Sequence, residues 1–577
     1  MKRGVWLVLV LLVLAVIASA SGLILLMLLT GAPPSVPSNA TLYLDLRAPY
    51  TEVEASDVFS QLVEQQPTLR ETVHMIREAR GDSRVAALVV TIQTPGSLWA
   101  QLQELRAALA DFKAAGKPIT AFLEFGGPGE YYVASVADRV VLMPGGQLDV
   151  AGLASYELFF RGLLDKLGIY PDLLQIGDYK TAANTFTERD MTPAHRQMSQ
   201  SLTSDLFAEV VSAVAAGREM TQDAARAALT GGPYTPADAL AAGLVDSLAY
   251  ADQLDDEEPV KGTRRLTGET WRRVARDRGG AGSERVALIY AVGTIASGKG
   301  TSDMPGAEVI GSDTVAEWLR TVRVDPSVRA VVVRIDSPGG SAIASEVIWR
   351  ELMLTREVKP LIVSMGDVAA SGGYYIAAPA HAIVAQPGTL TGSIGIVTGK
   401  FVLDDALGKL GIDVAAVGEG PRAGIYSPFR PFTDTERALV QAQMRSVYDL
   451  FLTRVADGRG RTTAEIDAMG QGRVWTGRQA LELGLVDELG GLDTALELAR
   501  ERAKLDPERD LNLVIYPKKR PFYEIVANPF GAAAELGAGR LFRRPDLRVM
   551  DAAASWLTLF RRGEPLALMP SVFLSGS

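Results

Sequence analysis

The chain opens with Lys2 and Arg3, then an almost unbroken apolar run from Val5 to Leu29. A membrane-crossing helix takes about 20 residues, so residues 1–30 are expected to form a transmembrane anchor. The competing reading is a cleaved signal peptide, because Ala18-Ser19-Ala20 resembles a small-residue cleavage site. The apolar run resumes through Leu23–Leu29, which favours an uncleaved anchor. Both early charges flank the run on its N-terminal side, and no Lys or Arg follows until Arg47. That asymmetry places the N-terminus in the cytoplasm and the rest of the chain outside. Residues 31–40, with the stretch GAPPSVPSN, read as a stiff tether.

Beyond the tether, short apolar runs alternate with amphipathic helical stretches. LYLDL (42–46), ALVVTI (87–92) and ITAFLEF (119–125) have the character of buried strands, and LRETVHMIREAR has helical spacing. The same grammar returns in VALIYAV (286–292), AVVVRI (330–335) and LIVSMGD (361–367). Strands alternating with helices predict a layered α/β fold.

The two series are copies. RVAALVVTIQTPGS (84–97) resembles VRAVVVRIDSPGGS (328–341), and aligning Pro95 with Pro338 sets an offset of 243. The same offset pairs Tyr131-Tyr132 with Tyr374-Tyr375, Pro144-Gly145 with Pro387-Gly388, and Leu167-Gly168-Ile169 with Leu410-Gly411-Ile412. AAGLVDSL (241–248) matches ELGLVDEL (482–489) at 241. One register held over so many matches predicts a duplicated domain. The expected organisation is a first domain over 41–250, a charged linker over 251–284 with one exposed helix, a second domain over 285–500 and a C-terminal extension over 501–577.

Candidate chemistry lies where the copies differ. The second has IDSPGGS (335–341) where the first has IQTPGSL (92–98). Consecutive glycines allow backbone N–H groups close approach to a ligand, which an oxyanion hole requires. Ser371, in AASGGYY, stands opposite Pro128, which cannot be a nucleophile. Gly372 follows at an expected helix start, where N–H groups are free. Gly372 with Gly339-Gly340 could therefore cradle an acyl oxyanion around a Ser371 nucleophile. A serine needs a base. His74, His195 and His381 are the three histidines, and none has a spacing that suggests a triad. A buried lysine can serve when its pKa falls. Lys180, in IGDYKTAANTF, is such a candidate, and its counterpart in the second copy is Ala423. The first copy thus keeps a lysine without the serine, and the second keeps the serine without the lysine.

Composition narrows the classes. The 577 residues are 47% hydrophobic and 22% charged, with a net charge of −10, so the chain can bury sizeable cores. No basic block stands out, which argues against a nucleic-acid partner. There is no cysteine, which excludes disulfides, thiol nucleophiles and thiolate metal sites. No metal site or cofactor is expected.

At DSPGGS (336–341), ASGGYYIA (370–377), TGSIG (391–395) and GDYK (177–180), the chain resembles the long, two-domain form of the signal peptide peptidase A family. The resemblance runs from the anchor to about residue 500. That family of membrane-anchored bacterial serine proteases is similar in fold to the ClpP/crotonase superfamily. The resemblance implies tandem ClpP/crotonase-like domains and a Ser–Lys dyad shared between the halves. It makes Ser371 the nucleophile, Lys180 the base, Gly372 with Gly340 or Gly339 the oxyanion donors, and Ser393 the group that orients the lysine. It also implies apolar peptide substrates left by signal peptidase, a bacterial cytoplasmic membrane location and a homotetramer. Asn184-Thr185 depart from the Glu-Pro expected after the lysine. Two rival readings are an acyl-CoA enzyme of the crotonase type, disfavoured by the outward topology, and a non-catalytic membrane scaffold.

Overall fold

The computed structural model describes residues 35–46, 50–53, 67–94, 97–275, 284–300, 309–518, 564–570 and 573–575, with helical fragments at 13–17, 19 and 21–22. Most of the expected anchor lies outside the described residues. Among the described residues, no helix is long and apolar enough to cross a membrane.

The duplication is visible strand by strand. In the first half six parallel strands lie in the order Ser247–Leu248, Arg139–Leu148, Ile119–Gly126, Val85–Ile92, Ala40–Leu46, Arg264–Thr267. In the second half the equivalent parallel order is Glu488–Leu489, Ala382–Ala385, Leu361–Ala370, Val328–Ser337, Arg285–Val292, Asn512–Tyr516. The strands are continuous Val/Ile/Leu runs because helices cover both faces. Val331, Val332 and Val333 are all buried, so neither face alternates with solvent.

Side-chain devices repeat as well. Tyr131 Oη donates to the Leu244 carbonyl at 2.7 Å, and Tyr374 Oη to the Leu485 carbonyl at 2.8 Å. Arg218 pairs with Asp246 and Arg459 with Asp487, each at 2.6 Å. Asp246 and Asp487 each accept from a backbone N–H of the neighbouring strand, at Val140 and Ile383.

The stretch expected as a linker carries ordered structure. Arg264–Thr267 adds an edge strand to the first sheet, and the helix Gly268–Val274 buries Trp271, whose indole N–H donates to the Met75 carbonyl at 2.9 Å. A four-residue strand with three polar side chains gives almost no periodic signal, which is why its charge dominated the sequence.

A third sheet joins the halves. Tyr170–Ile176 of the first half pairs antiparallel with Ile396–Val402 of the second, from Ile396↔Ile176 to Val402↔Tyr170. Packing between the halves is also ionic. Arg334, fully buried, holds Glu52 and Glu104 at 2.7 Å each, and Gln101 N–H donates to Asp367 at 3.1 Å.

Candidate active site

The strand Leu361–Ala370 ends at Ser371, which caps the helix Gly372–Ala377 with φ +54° and ψ −110°. A positive φ is unusual for a residue with a side chain, and surrounding contacts must impose it. Here Ser371 N–H donates to the Gly392 carbonyl, and the Ser371 carbonyl accepts from Tyr375 N–H, both at 2.8 Å. The glycines that follow are steric requirements. A Cβ at Gly372 would lie 2.8 Å from Ser345 Oγ and 3.1 Å from Gly339 Cα. One at Gly373 would lie 2.7 Å from the Ser337 carbonyl oxygen. The equivalent turn in the first half starts the helix Pro128–Ala134 with proline, and no hydroxyl is presented there.

Lys180 arrives from the other half. The strand Tyr170–Ile176 leads into Gly177, at φ +104°, and Tyr179 N–H donates to the Gln471 carbonyl at 2.9 Å. These contacts drive Lys180 inward, where it is wholly buried. Gly472, at φ +77°, makes room for it: a Cβ there would sit 2.5 Å from Lys180 Cα. One at Gly395 would approach Lys180 Cδ to 3.0 Å.

Lys180 Nζ lies 2.7 Å from Ser371 Oγ, 2.8 Å from the Ser393 carbonyl oxygen and 3.0 Å from Ser393 Oγ. Burial pushes the ammonium well below its ordinary value of 10.5. A neutral amine has two N–H donors and one lone pair. Nζ is within donating distance of all three oxygens; in the neutral form two N–H bonds to Ser393 would leave the lone pair for the Ser371 hydroxyl. Ser393, also at positive φ (+50°), is anchored by its N–H to the Arg473 carbonyl at 2.7 Å.

The glycine pair divides its work. Gly339 N–H donates to Ser337 Oγ at 3.1 Å, so that amide is engaged. Gly340, in the strand Gly339–Ser341, is paired with Ala567 of the antiparallel strand Leu566–Leu568. Gly339 instead permits close approach: a Cβ on it would lie 2.7 Å from Gly372 N.

The histidines are occupied elsewhere. His195, in the first turn of the helix Pro193–Gly217, is buried against Glu157. His381 Nδ1 accepts from Leu361 N–H at 3.0 Å. Asn184 and Thr185 form part of the short helix Asn184–Thr187, with the Thr185 carbonyl accepting from Phe160 N–H at 2.7 Å. Sequence reasoning gave no role to the segment 564–570, which the structure places against Gly339–Ser341. Its only signal was the short apolar run Leu566–Met569.

A strained serine with a buried amine at hydrogen-bond distance and glycine amides beside it defines a serine hydrolase built from two copies of one α/β unit. Residues 111–258 and 353–506 match Peptidase family S49. The chain is 36% identical over 460 residues to Protease 4 of Salmonella typhi, covering 76% of this chain and 73% of that one. It is 31% identical over 447 residues to the chloroplastic serine protease SPPA of Arabidopsis thaliana, covering 76% and 66%. Among solved structures, a ClpP1 N165D mutant from Listeria monocytogenes aligns with 37% of this chain and 94% of its own, at 14% identity and a TM-score of 0.24. The chain belongs to peptidase family S49 and is a serine protease.

Proposed function

We propose that this protease is a membrane-anchored endopeptidase that hydrolyses remnant signal peptides and similar apolar peptides, using Ser371 as nucleophile and Lys180 as general base. The observation that carries this reading is the 2.7 Å approach of a wholly buried Lys180 Nζ to Ser371 Oγ. Neutral Lys180 takes the Ser371 proton as Oγ adds to the peptide carbonyl. The oxyanion is received by the amides of Gly340 and Gly372. The protonated lysine gives its proton to the leaving amine, and water then hydrolyses the acyl-enzyme by the same route. Ser393 positions the base and does not touch substrate.

The location proposed is the bacterial cytoplasmic membrane, crossed once by residues 1–30, with the N-terminus in the cytoplasm and the catalytic halves outside. Tethering there would raise the local concentration of peptides released at the membrane. The proposed assembly is a homotetramer.

The test is hydrolysis of a fluorogenic apolar peptide across pH by wild type, Ser371→Ala and Lys180→Ala, with folding checked by circular dichroism. Both folded variants are expected to be inactive. Activity retained by Lys180→Ala would assign the base elsewhere.

A further inference from the structure

Arg473 stands where three parts of the site meet. It follows Gly472, the residue that makes room for Lys180. Its carbonyl accepts from Ser393 N–H at 2.7 Å. The adjoining strand Val474–Thr476 pairs antiparallel with Leu390–Gly392, in the register Thr391↔Trp475 and Gly392↔Val474. Gly392 in turn holds Ser371 N–H on its carbonyl at 2.8 Å. The backbone at Arg473 is therefore tied to both site serines of the second half.

The side chain reaches the first half. Its guanidinium carbon lies 4.9 Å from the ring centroid of Tyr179 and 4.2 Å from that of Trp475. Tyr179 immediately precedes Lys180. Arg473 Nε is buried without a hydrogen-bond partner, and among the described residues no carboxylate pairs with this guanidinium. An arginine with no counter-ion is held by the ring faces, whose electron-rich surface attracts a flat cation. Each ring is anchored at its polar end. Tyr179 Oη donates to Gln197 Oε1 at 2.9 Å, on the helix Pro193–Gly217, and Trp475 Nε1 donates to the Met469 carbonyl at 3.0 Å.

The repeat marks the same residue. At the offset of 241, GRVWTGRQAL (472–481) aligns with GGPYTPADAL (231–240). Thr235 and Thr476 each cap the helix that follows, so the alignment holds in the fold. Tyr234 keeps an aromatic ring opposite Trp475, but Gly232 stands opposite Arg473. Lys180 likewise has only Ala423 as its counterpart. The copy whose turn receives the lysine is the one that carries the arginine.

We infer that Arg473 is a positioning residue for the general base: its guanidinium, lying over Tyr179 and Trp475, fastens the Lys180 turn of the first half to the Ser393 turn of the second. The inference rests on the roles of Ser371 and Lys180 given above. A lysine side chain is long and flexible, so Nζ is placed only as well as the turn that carries it. A misplacement of about 1 Å can cost 10²-fold in rate. Arg473 acts through the Tyr179 ring and the Ser393 amide and makes no bond to the reacting atoms.

The experiment is steady-state hydrolysis of a fluorogenic apolar peptide across pH, with a urea titration of each sample. The variants are Arg473→Met, Arg473→Lys, Tyr179→Leu, the double variant Tyr179→Leu/Arg473→Met, and Lys180→Met. Arg473→Met is expected to lower kcat about tenfold or more with KM unchanged. The acid limb of its pH profile should move up toward the ordinary lysine value of 10.5, because a loosened turn lets water reach Nζ. Arg473→Lys keeps a cation without the flat fork and should recover part of the loss. Adding Tyr179→Leu to Arg473→Met should cost little beyond either change alone, as for two residues sharing one contact. Wild-type kcat and an unmoved acid limb in Arg473→Met would overturn the inference, whatever that variant's stability. Strictly additive losses in the double variant would overturn it too. Should Arg473→Met fail to fold, Arg473→Lys and Tyr179→Leu carry the same test, and wild-type kinetics in both would be fatal to the inference. Lys180→Met separates the two readings. Its inactivity beside a wild-type Arg473→Met sinks the role of Arg473 alone, and its full activity sinks the dyad beneath it.

Discussion

Lys180 and Ser371 stand 191 positions apart in the chain, and their functional atoms stand 2.7 Å apart in the fold. Each belongs to a different copy of the repeated unit, and each copy lacks the other's residue. The strand pairing of Tyr170–Ile176 with Ile396–Val402 closes that distance. A single copy therefore holds half of the proposed dyad.

Replacing Lys180 by methionine should lower kcat/KM by about 10²–10⁴-fold, the usual contribution of a general base. Methionine fills a similar volume without a buried amine to desolvate. The thermal midpoint should therefore stay level or rise while peptide hydrolysis collapses. A fall in both would show that the lysine holds the fold together.

The depressed pKa of Lys180 fixes two pH dependences. Activity should fall as pH drops through the folded-state value, because the protonated amine cannot accept from Ser371. Stability should move the same way. Between the depressed value and 10.5 the unfolded chain binds a proton that the folded chain does not, so this residue's contribution is present at high pH and lost as pH falls. The slope is about 1.4 kcal/mol per pH unit in that window and flat below it. Urea titrations of wild type and Lys180→Met from neutral to alkaline pH should diverge by that slope.

Ser393→Ala removes one of the two Ser393 contacts to Nζ and leaves the carbonyl contact in place. One hydrogen bond of about 1 kcal/mol corresponds to several-fold in rate. A several-fold fall in kcat with unchanged KM, and a shifted acid limb in the pH profile, is expected from steady-state kinetics. An unchanged pH profile would remove Ser393 from the positioning of the base.

Gly472→Ala tests the cradle of the lysine. Its Cβ would fall 2.5 Å from Lys180 Cα, at a φ of +77° that a side chain tolerates poorly. The left-handed conformation alone costs about 1–2 kcal/mol. Peptide hydrolysis should fall by more than the loss of stability explains, because the displaced backbone carries Nζ away from Oγ. Activity equal to wild type at a lowered midpoint would show that the site tolerates the shift.

Arg334→Met should be the most disruptive surface-remote change. Arg334 is wholly buried and neutralises Glu52 and Glu104 of the other half. Removing one partner of a buried ion cluster costs about 3–5 kcal/mol. A matching fall in the denaturation midpoint is expected, with partial recovery when Glu52→Gln and Glu104→Gln are added.

Much of this was legible in the chain. The offset of 243 between copies predicted equivalent strands, and the parallel orders of the two sheets agree with it. Ser371 opposite Pro128, and Lys180 opposite Ala423, marked the two residues that the structure brings together. The histidines illustrate the reverse: their spacing argued against a triad, but only packing revealed His195 buried against Glu157. The edge strand Arg264–Thr267 was hidden because it is short and polar, and its pairing energy comes from a neighbour more than two hundred residues upstream. The Gly339-Gly340 pair was singled out from the sequence, but that the Gly339 amide is taken by the Ser337 hydroxyl is something no spacing rule anticipates.

Apolar periodicity, the internal repeat and the unequal copies are local properties of the sequence. By themselves they determined an α/β duplication with one complementary pair of candidate residues. Whether a lysine is neutral depends on its desolvation, and whether it serves a serine depends on a few tenths of an ångström. Both are set by long-range strand pairing and by the close approach of Gly395 and Gly472 to the lysine. The same holds for the segment 564–570, an unremarkable apolar stretch until the third sheet laid it along Gly339–Ser341. Tertiary structure decided these points because burial and register arise only when distant parts of the chain meet.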